Sequence, residues 1–163
     1  MKNSFLIVLI CCCSCIANSQ NEIPSIKTSY DTNANDYKNT LVINSKNSFD
    51  LNKFNEFNSE FKIIAHNDKK FVLEHSYSSL NKSKGRCAAG LEKKLLLISF
   101  DDDFKLLNSE NYLLESCLFS IELTKQEKRT QEYITYHCEN IQSLDLFQLK
   151  IDLRAMEVIR TKI

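Results

Sequence analysis

Residues 112–139 carry a regular alternation of hydrophobic and polar side chains. Two segments, 112–123 and 131–138, are rich in β-branched and aromatic residues, and a polar run separates them, so they predict two strands joined by a turn. Pairing Leu123 with Glu132 in an antiparallel register aligns the apolar residues of both strands on one face. The partners predicted on that face are Ile121 and Ile134, Phe119 and Tyr136, and Cys117 and Cys138.

The rest of the pattern predicts further strands separated by Asn, Asp and Lys turns. These strands are 61–66, 70–77, 95–100, 104–107, 147–153 and 156–160. The predicted fold class is mainly β, a single antiparallel meander of about seven to eight strands that forms a curled sheet, an open barrel or a sandwich. The apolar spacing in Phe49–Phe57 allows one short N-terminal helix.

The composition gives no support for nucleic-acid binding or for the common catalytic motifs. The 163-residue chain has 21 Lys plus Arg and 21 Asp plus Glu, so no basic excess points to nucleic acid. With 2 glycines and 1 proline, turns must rely on Asn, Asp and Ser. No phosphate-binding glycine loop or nucleophile motif is present, and we predict no cofactor.

The N-terminal segment has the features of an export signal. A positive start at Lys2, an apolar run from Phe5 and the small-residue end Ala17-Asn18-Ser19 predict a signal peptide over residues 1–19. Residues 20–48 are rich in Asn, Ser and Thr, which predicts a flexible polar spacer. The β domain is then expected over residues 49–163.

The cysteines of this signal resemble the lipidation site of bacterial lipoproteins, over the first fifteen residues only. If Cys15 is the lipidated residue, Ser14 is the small residue before it, but Cys12 stands where the family prefers Leu. If Cys12 is the lipidated residue, Leu9 stands at that position. The resemblance implies lipidation at Cys12 or Cys15 and membrane contact through that anchor alone. A plainly cleaved signal is the alternative, so the expected location is the periplasm, the outer membrane or the medium.

Three cysteines, Cys87, Cys117 and Cys138, follow the signal. Export places them in an oxidising compartment, where pairing is expected. The predicted hairpin register favours a Cys117–Cys138 disulfide, and a Cys87–Cys117 disulfide is the alternative. A catalytic cysteine needs a nearby base, but the neighbours His137 and Cys138 point to opposite faces of a strand.

Catalytic and metal sites have little support. The three histidines, His66, His75 and His137, lack the short ligand spacing of zinc sites, so we predict no metal. Asp101-Asp102-Asp103 lacks the central glycine and distal Glu of a calcium loop. We therefore predict a non-enzyme, with a small envelope hydrolase near His75 or His137 as the alternative.

A polar loop, residues 78–86, separates two apolar strands and carries Lys82, Lys84 and Arg86. Loops of this length on a rigid sheet are often functional, and three cations steer an acidic partner. We predict a non-catalytic exported envelope protein, a lipoprotein or a periplasmic module of the inhibitor or immunity type. Its predicted partner is another protein, bound through these three residues.

Overall fold

The structure is a computed structural model that describes residues 22–32, 36–79 and 90–163. Within these ranges the chain forms eleven β-strands and a 3-10 turn, Asn52–Phe54, and no α-helix. The strands are β1 (Ser25–Asp31), β2 (Asp36–Val42), β3 (Ser48–Asp50), β4 (Glu60–His66), β5 (Lys70–Ser78), β6 (Leu91–Phe100), β7 (Leu106–Glu115), β8 (Ile121–Arg129), β9 (Tyr133–Asn140), β10 (Asp145–Asp152) and β11 (Glu157–Lys162).

The strands form three antiparallel sheets, and each strand pairs with its neighbour in the sequence. The first sheet has the order β1-β2-β3, the middle sheet β4-β5-β6-β7 and the last sheet β11-β10-β9-β8. Short connections are sufficient for this topology, because antiparallel neighbours need no crossover. The described part of the chain is therefore mainly β, as the alternation predicts.

The middle sheet is buried on both faces. Phe71 and Leu73 of β5 pack in a cluster with Leu41 of the first sheet. Val72, between them in sequence, belongs to a second cluster that includes Leu149 of the last sheet. Side chains alternate between faces along a strand, so β5 contributes to both cores. Complete burial of each such side chain stabilises the fold by about 1.5–3 kcal/mol.

Asparagine and aspartate side chains build the tight turns. The side-chain oxygens of Asn67, Asn140 and Asp152 each accept hydrogen bonds from the backbone N–H groups two and three residues further on. The two amides that bond Asp152, those of Ala155 and Arg154, also lower the pKa of its carboxyl. This Asx geometry explains how a chain so poor in glycine makes its turns.

The predicted single meander is wrong, and none of the three sheets is closed or curled in the described ranges. The sequence pattern identifies strands but not the places where one sheet ends and another begins. The chain also differs from the expected spacer, since residues 20–48 contain β1, β2 and the first residue of β3. Leu41 and Ile43 attach this polar stretch to the core, where both are buried.

The predicted hairpin register is wrong because the first predicted strand is broken by a turn. Ser116 and Ile121 exchange backbone hydrogen bonds of 2.8 and 2.9 Å, which closes a turn over residues 117–120. Ser120 has a φ of 53° there. Ile121 consequently pairs with Asn140 and Leu123 with Cys138.

Candidate functional site

We use the name basic loop for the segment that carries Lys82, Lys84 and Arg86. Hydrogen bonds between Ser79 and Gly90 join the two residues at its base. Ser79, which is fully buried, donates to the carbonyl oxygen of Gly90 from its backbone nitrogen at 3.0 Å and from its hydroxyl at 2.9 Å. A Cβ on Gly90 would lie 2.9 Å from the Ser79 hydroxyl and 3.0 Å from the Cys117 Cβ. The close backbone approach therefore requires glycine. Lys82, Lys84 and Arg86 lie outside the described residues, between these two fixed ends.

A buried carboxylate supports the neighbouring turn. Glu92 is only 1% exposed, and its Oε1 accepts hydrogen bonds from the backbone amides of Cys117 at 3.1 Å and Leu118 at 3.4 Å. The Ser116 hydroxyl oxygen, also buried, accepts one from the Phe119 amide at 3.1 Å. These bonds satisfy amides that would otherwise be unpaired in a protein interior. Burial, and then the Glu92 charge, raises the pKa of Tyr77.

The supported turn presents large apolar side chains to solvent. Phe119 is 61% exposed, and Leu144, in the next turn of the same end, is 74% exposed. The two turns are joined by a hydrogen bond of 2.8 Å from the Ile141 amide to the Ser120 carbonyl oxygen. We use the name apolar end surface for the exposed apolar residues around these turns. They are Leu118, Phe119, Ile141, Leu144, Leu146 and Ile163.

The loop base and the apolar end surface share one end of the molecule. Strands β5 and β6 meet there at Ser79 and Gly90, and β7 turns into β8 beside them. The described chain begins at the other end, where Glu22 and Pro24 lie beside the turn at 67–69. The candidate binding end is therefore opposite the point at which the N-terminal segment joins the fold.

The cysteines do not form the pair that the sequence register favours. Cys138 is a free, fully buried thiol opposite Leu123 and Phe147, so the predicted Cys117–Cys138 disulfide is wrong. Cys117 itself is disulfide-bonded, and Cys87, the other candidate, lies outside the described residues. No disulfide joins two cysteines of the described ranges. The lipidation candidates Cys12 and Cys15 also lie outside the described residues, which they precede.

The histidines lie in three separate environments. His75 is fully buried, stacks on Phe61 at 4.2 Å between ring centres, and has its Nε2 2.8 Å from the Ser59 hydroxyl. His66 stacks on Phe71 at 5.8 Å. His137 lies on β9 opposite Gln148. No group of three His, Cys, Asp or Glu side chains in the described part is placed to hold a metal ion.

The Ser59–His75 contact places a hydroxyl beside a possible base, an arrangement that the sequence did not predict. The two residues are 16 positions apart, and β4 pairs with β5 to bring them together. Ser59 has further partners, since its oxygen accepts from the Glu56 amide at 2.6 Å and its hydroxyl lies 3.0 Å from the Glu56 carbonyl oxygen. Its hydroxyl has a single proton, so it can donate to the Glu56 carbonyl or to an unprotonated Nε2 of His75, but not to both.

The acidic triplet forms a turn. The Asp101 carboxylate accepts hydrogen bonds from the backbone amides of Asp103 at 3.0 Å and Lys105 at 2.8 Å. Asp102 forms an ion pair with Lys69, which lowers the pKa of its carboxyl. The carboxylates are thus engaged in a solvated turn that joins β6 and β7.

Comparison with known proteins does not assign this chain to a family. No protein family, curated protein or solved structure matches this chain significantly. Among the described residues, no helix is long and apolar enough to cross a membrane.

Proposed function

We propose that this protein is a non-catalytic exported envelope protein, a lipoprotein or periplasmic module of the inhibitor or immunity type, that acts by protein–protein contact. Its contact region is the loop end of the molecule, where the apolar end surface lies beside the base of the basic loop. The observation that carries the proposal is that the buried carboxylate of Glu92 accepts hydrogen bonds from the backbone amides of Cys117 and Leu118, in a turn that exposes Leu118 and Phe119.

These hydrogen bonds matter because they hold the backbone of a turn whose apolar side chains are exposed to solvent. Contiguous exposed apolar patches on soluble domains commonly mark interaction sites. Aromatic anchors held in one conformation also lose less entropy on association than mobile ones. The two buried acceptors Glu92 and Ser116 hold the backbone of this turn, so less backbone entropy is lost when it binds a partner.

The position of the site fits an anchored protein. A chain attached through Cys12 or Cys15 would join the fold at Glu22, at the end opposite the loop. The contact end would then face away from the membrane. The cations Lys82, Lys84 and Arg86 would add electrostatic steering toward an acidic partner, which weakens as salt increases.

The test is capture of a partner from envelope extract by chemical cross-linking to the purified protein. A double variant, Phe119→Ala with Leu144→Ala, removes two exposed apolar side chains without touching the buried clusters. The control variant, Tyr37→Ala, removes an exposed aromatic ring from the first sheet. The proposal predicts that an identified partner is captured by the wild type and by the control but not by the double variant.

A second candidate function, a small envelope hydrolase near His75, rests on the 2.8 Å contact between Ser59 and His75. A serine hydrolase needs this pairing of nucleophile and base. We place it second because the Glu56 carbonyl competes for the Ser59 proton and His75 is fully buried. A fluorophosphonate probe distinguishes the two, since a hydrolase is labelled at Ser59 and a binding module is not.

A further inference from the structure

A polar cleft of about 620 Å³ opens at the surface of the described part of the molecule. It is bounded by β1 and β2 of the first sheet and by the segment that enters β4. The side chains that line it include Thr28, Tyr37, Asn39, Ser59, Glu60 and Phe61. Its volume lies within the range of about 300–1,000 Å³ that is usual for small-molecule sites.

A network of side-chain amides holds Asn39 in place at the wall of the cleft. Asn39 is almost fully buried, its Oδ1 accepts from the Thr28 hydroxyl at 2.8 Å, and its Nδ2 donates to Asn55 at 3.3 Å. Asn52 accepts from the Asn39 backbone amide and from the Asn55 side chain, each at 3.0 Å. Polar groups held in this way keep one orientation, which lowers the entropy lost when a ligand binds.

Aromatic rings complete the lining. Tyr37 is 56% exposed and packs edge-on against Tyr30 at 5.2 Å between ring centres. Phe61, partly buried, is backed by the stacked ring of His75 at 4.2 Å. Two rings beside a wall of hydroxyls and amides form an amphipathic site, which offers both flat apolar surface and hydrogen bonds.

We propose that this cleft binds a neutral saccharide. Sugar rings have apolar C–H faces that stack on aromatic rings and hydroxyls that both donate and accept hydrogen bonds. The exposed side-chain amide of Asn58 offers both functions, and the Thr28 oxygen, whose proton is donated to Asn39, can still accept a hydrogen bond. Among the described residues that line the cleft, none is basic and one, Glu60, is acidic, so an anionic ligand is disfavoured.

The experiment is saturation-transfer NMR on the intact purified protein with maltose and N,N′-diacetylchitobiose as probes and spermidine as a cationic comparison. We expect saturation transfer to at least one sugar. Tyr37→Ala should weaken its binding about tenfold, because one stacking contact is lost. Leu107→Ala, which removes an exposed side chain of β7 outside both proposed sites, should leave sugar binding unchanged.

Each other outcome overturns the proposal. Absence of transfer to both sugars at millimolar concentration, or transfer that Tyr37→Ala does not reduce, excludes a saccharide site in this cleft. Binding of spermidine alone, abolished by Glu60→Gln, would assign the cleft to an amine. Because partner capture is tested with Phe119 and Leu144 and sugar binding with Tyr37, failure of one proposal does not affect the test of the other.

Discussion

The buried carboxylate of Glu92 accepts a hydrogen bond from the backbone amide of Cys117, with 3.1 Å between oxygen and nitrogen. The two residues are 25 positions apart, and the bond joins the start of β6 to the turn between β7 and β8. It fixes the turn that exposes Leu118 and Phe119. The proposed binding at this end depends on that support.

Glu92→Ala should therefore destabilise the fold and loosen the turn. The substitution leaves the amides of Cys117 and Leu118 without their acceptor, and an unsatisfied buried donor costs about 1–3 kcal/mol. Chemical denaturation measures the free energy of unfolding. The control is Glu122→Ala on an exposed position of β8, which should change it by less than about 0.5 kcal/mol. Equal losses for both variants would contradict the supporting role of Glu92.

Cys138 should be inert in the folded protein. Burial raises the pKa of its thiol to about 11, against a smaller opposing effect of Arg160. Almost no thiolate is then present at pH 8, so iodoacetamide should label Cys138 only after unfolding, as intact mass will show. Labelling at equal rates with and without denaturant would contradict this environment.

The raised pKa of the Cys138 thiol also predicts that the free energy of unfolding depends on pH. Because the folded state keeps the Cys138 proton to a higher pH than the unfolded chain, this contribution to stability is intact below about pH 8.5 and is lost toward pH 11. Cys138→Ala should remove that part of the decrease. The free energy of unfolding, measured for both proteins at pH 8 and pH 10.5, checks the difference.

We predict that the partner of Cys117 is Cys87. Cys117 is disulfide-bonded, and Gly90 lies against its side chain, three residues after Cys87 in the sequence. Peptide mapping without reductant should recover the two cysteines in one linked peptide. Loss of such a bridge typically costs an exported domain about 2–5 kcal/mol, which Cys87→Ala should reproduce. A linked peptide that contains Cys138 would refute the assignment.

Export is a separate prediction from residues 1–19. The intact mass of the protein purified from the envelope should lack this segment. Acyl chains on Cys12 or Cys15 would select the lipoprotein, and an unmodified shorter chain would select plain cleavage. A mass that still contains Met1 to Ile10 would contradict export by this signal.

Alternation of side chains predicts most strands of the middle and last sheets. The run in β6 is apolar on both faces, which indicates a central strand, and β6 is indeed paired on both sides and buried. The sequence does not predict the turn at 117–120, because Ser120 is the one typical turn residue in Cys-Leu-Phe-Ser and the turn depends on the distant Glu92. The sequence does not predict β1 and β2, because their polar composition is typical of a flexible spacer.

The candidate site is likewise predicted only in part by the sequence. Sequence alone identifies the cations of the loop but not the surface beside it, because Leu118 and Phe119 occur in a pattern that predicts a buried strand. The contact between Ser59 and His75 depends on the β4–β5 register, which composition does not determine. Long-range pairing, rather than local propensity, decides these features.

The most direct test of binding at the loop end is the association rate of the identified partner with the triple variant Lys82→Glu, Lys84→Glu and Arg86→Glu. At low salt we expect association at least about tenfold slower than with the wild type, and a smaller difference at high salt, because screening removes electrostatic steering. The circular dichroism spectrum should remain that of the wild type. Equal association rates for the two proteins at low salt would contradict the proposal that this end of the molecule makes the contact.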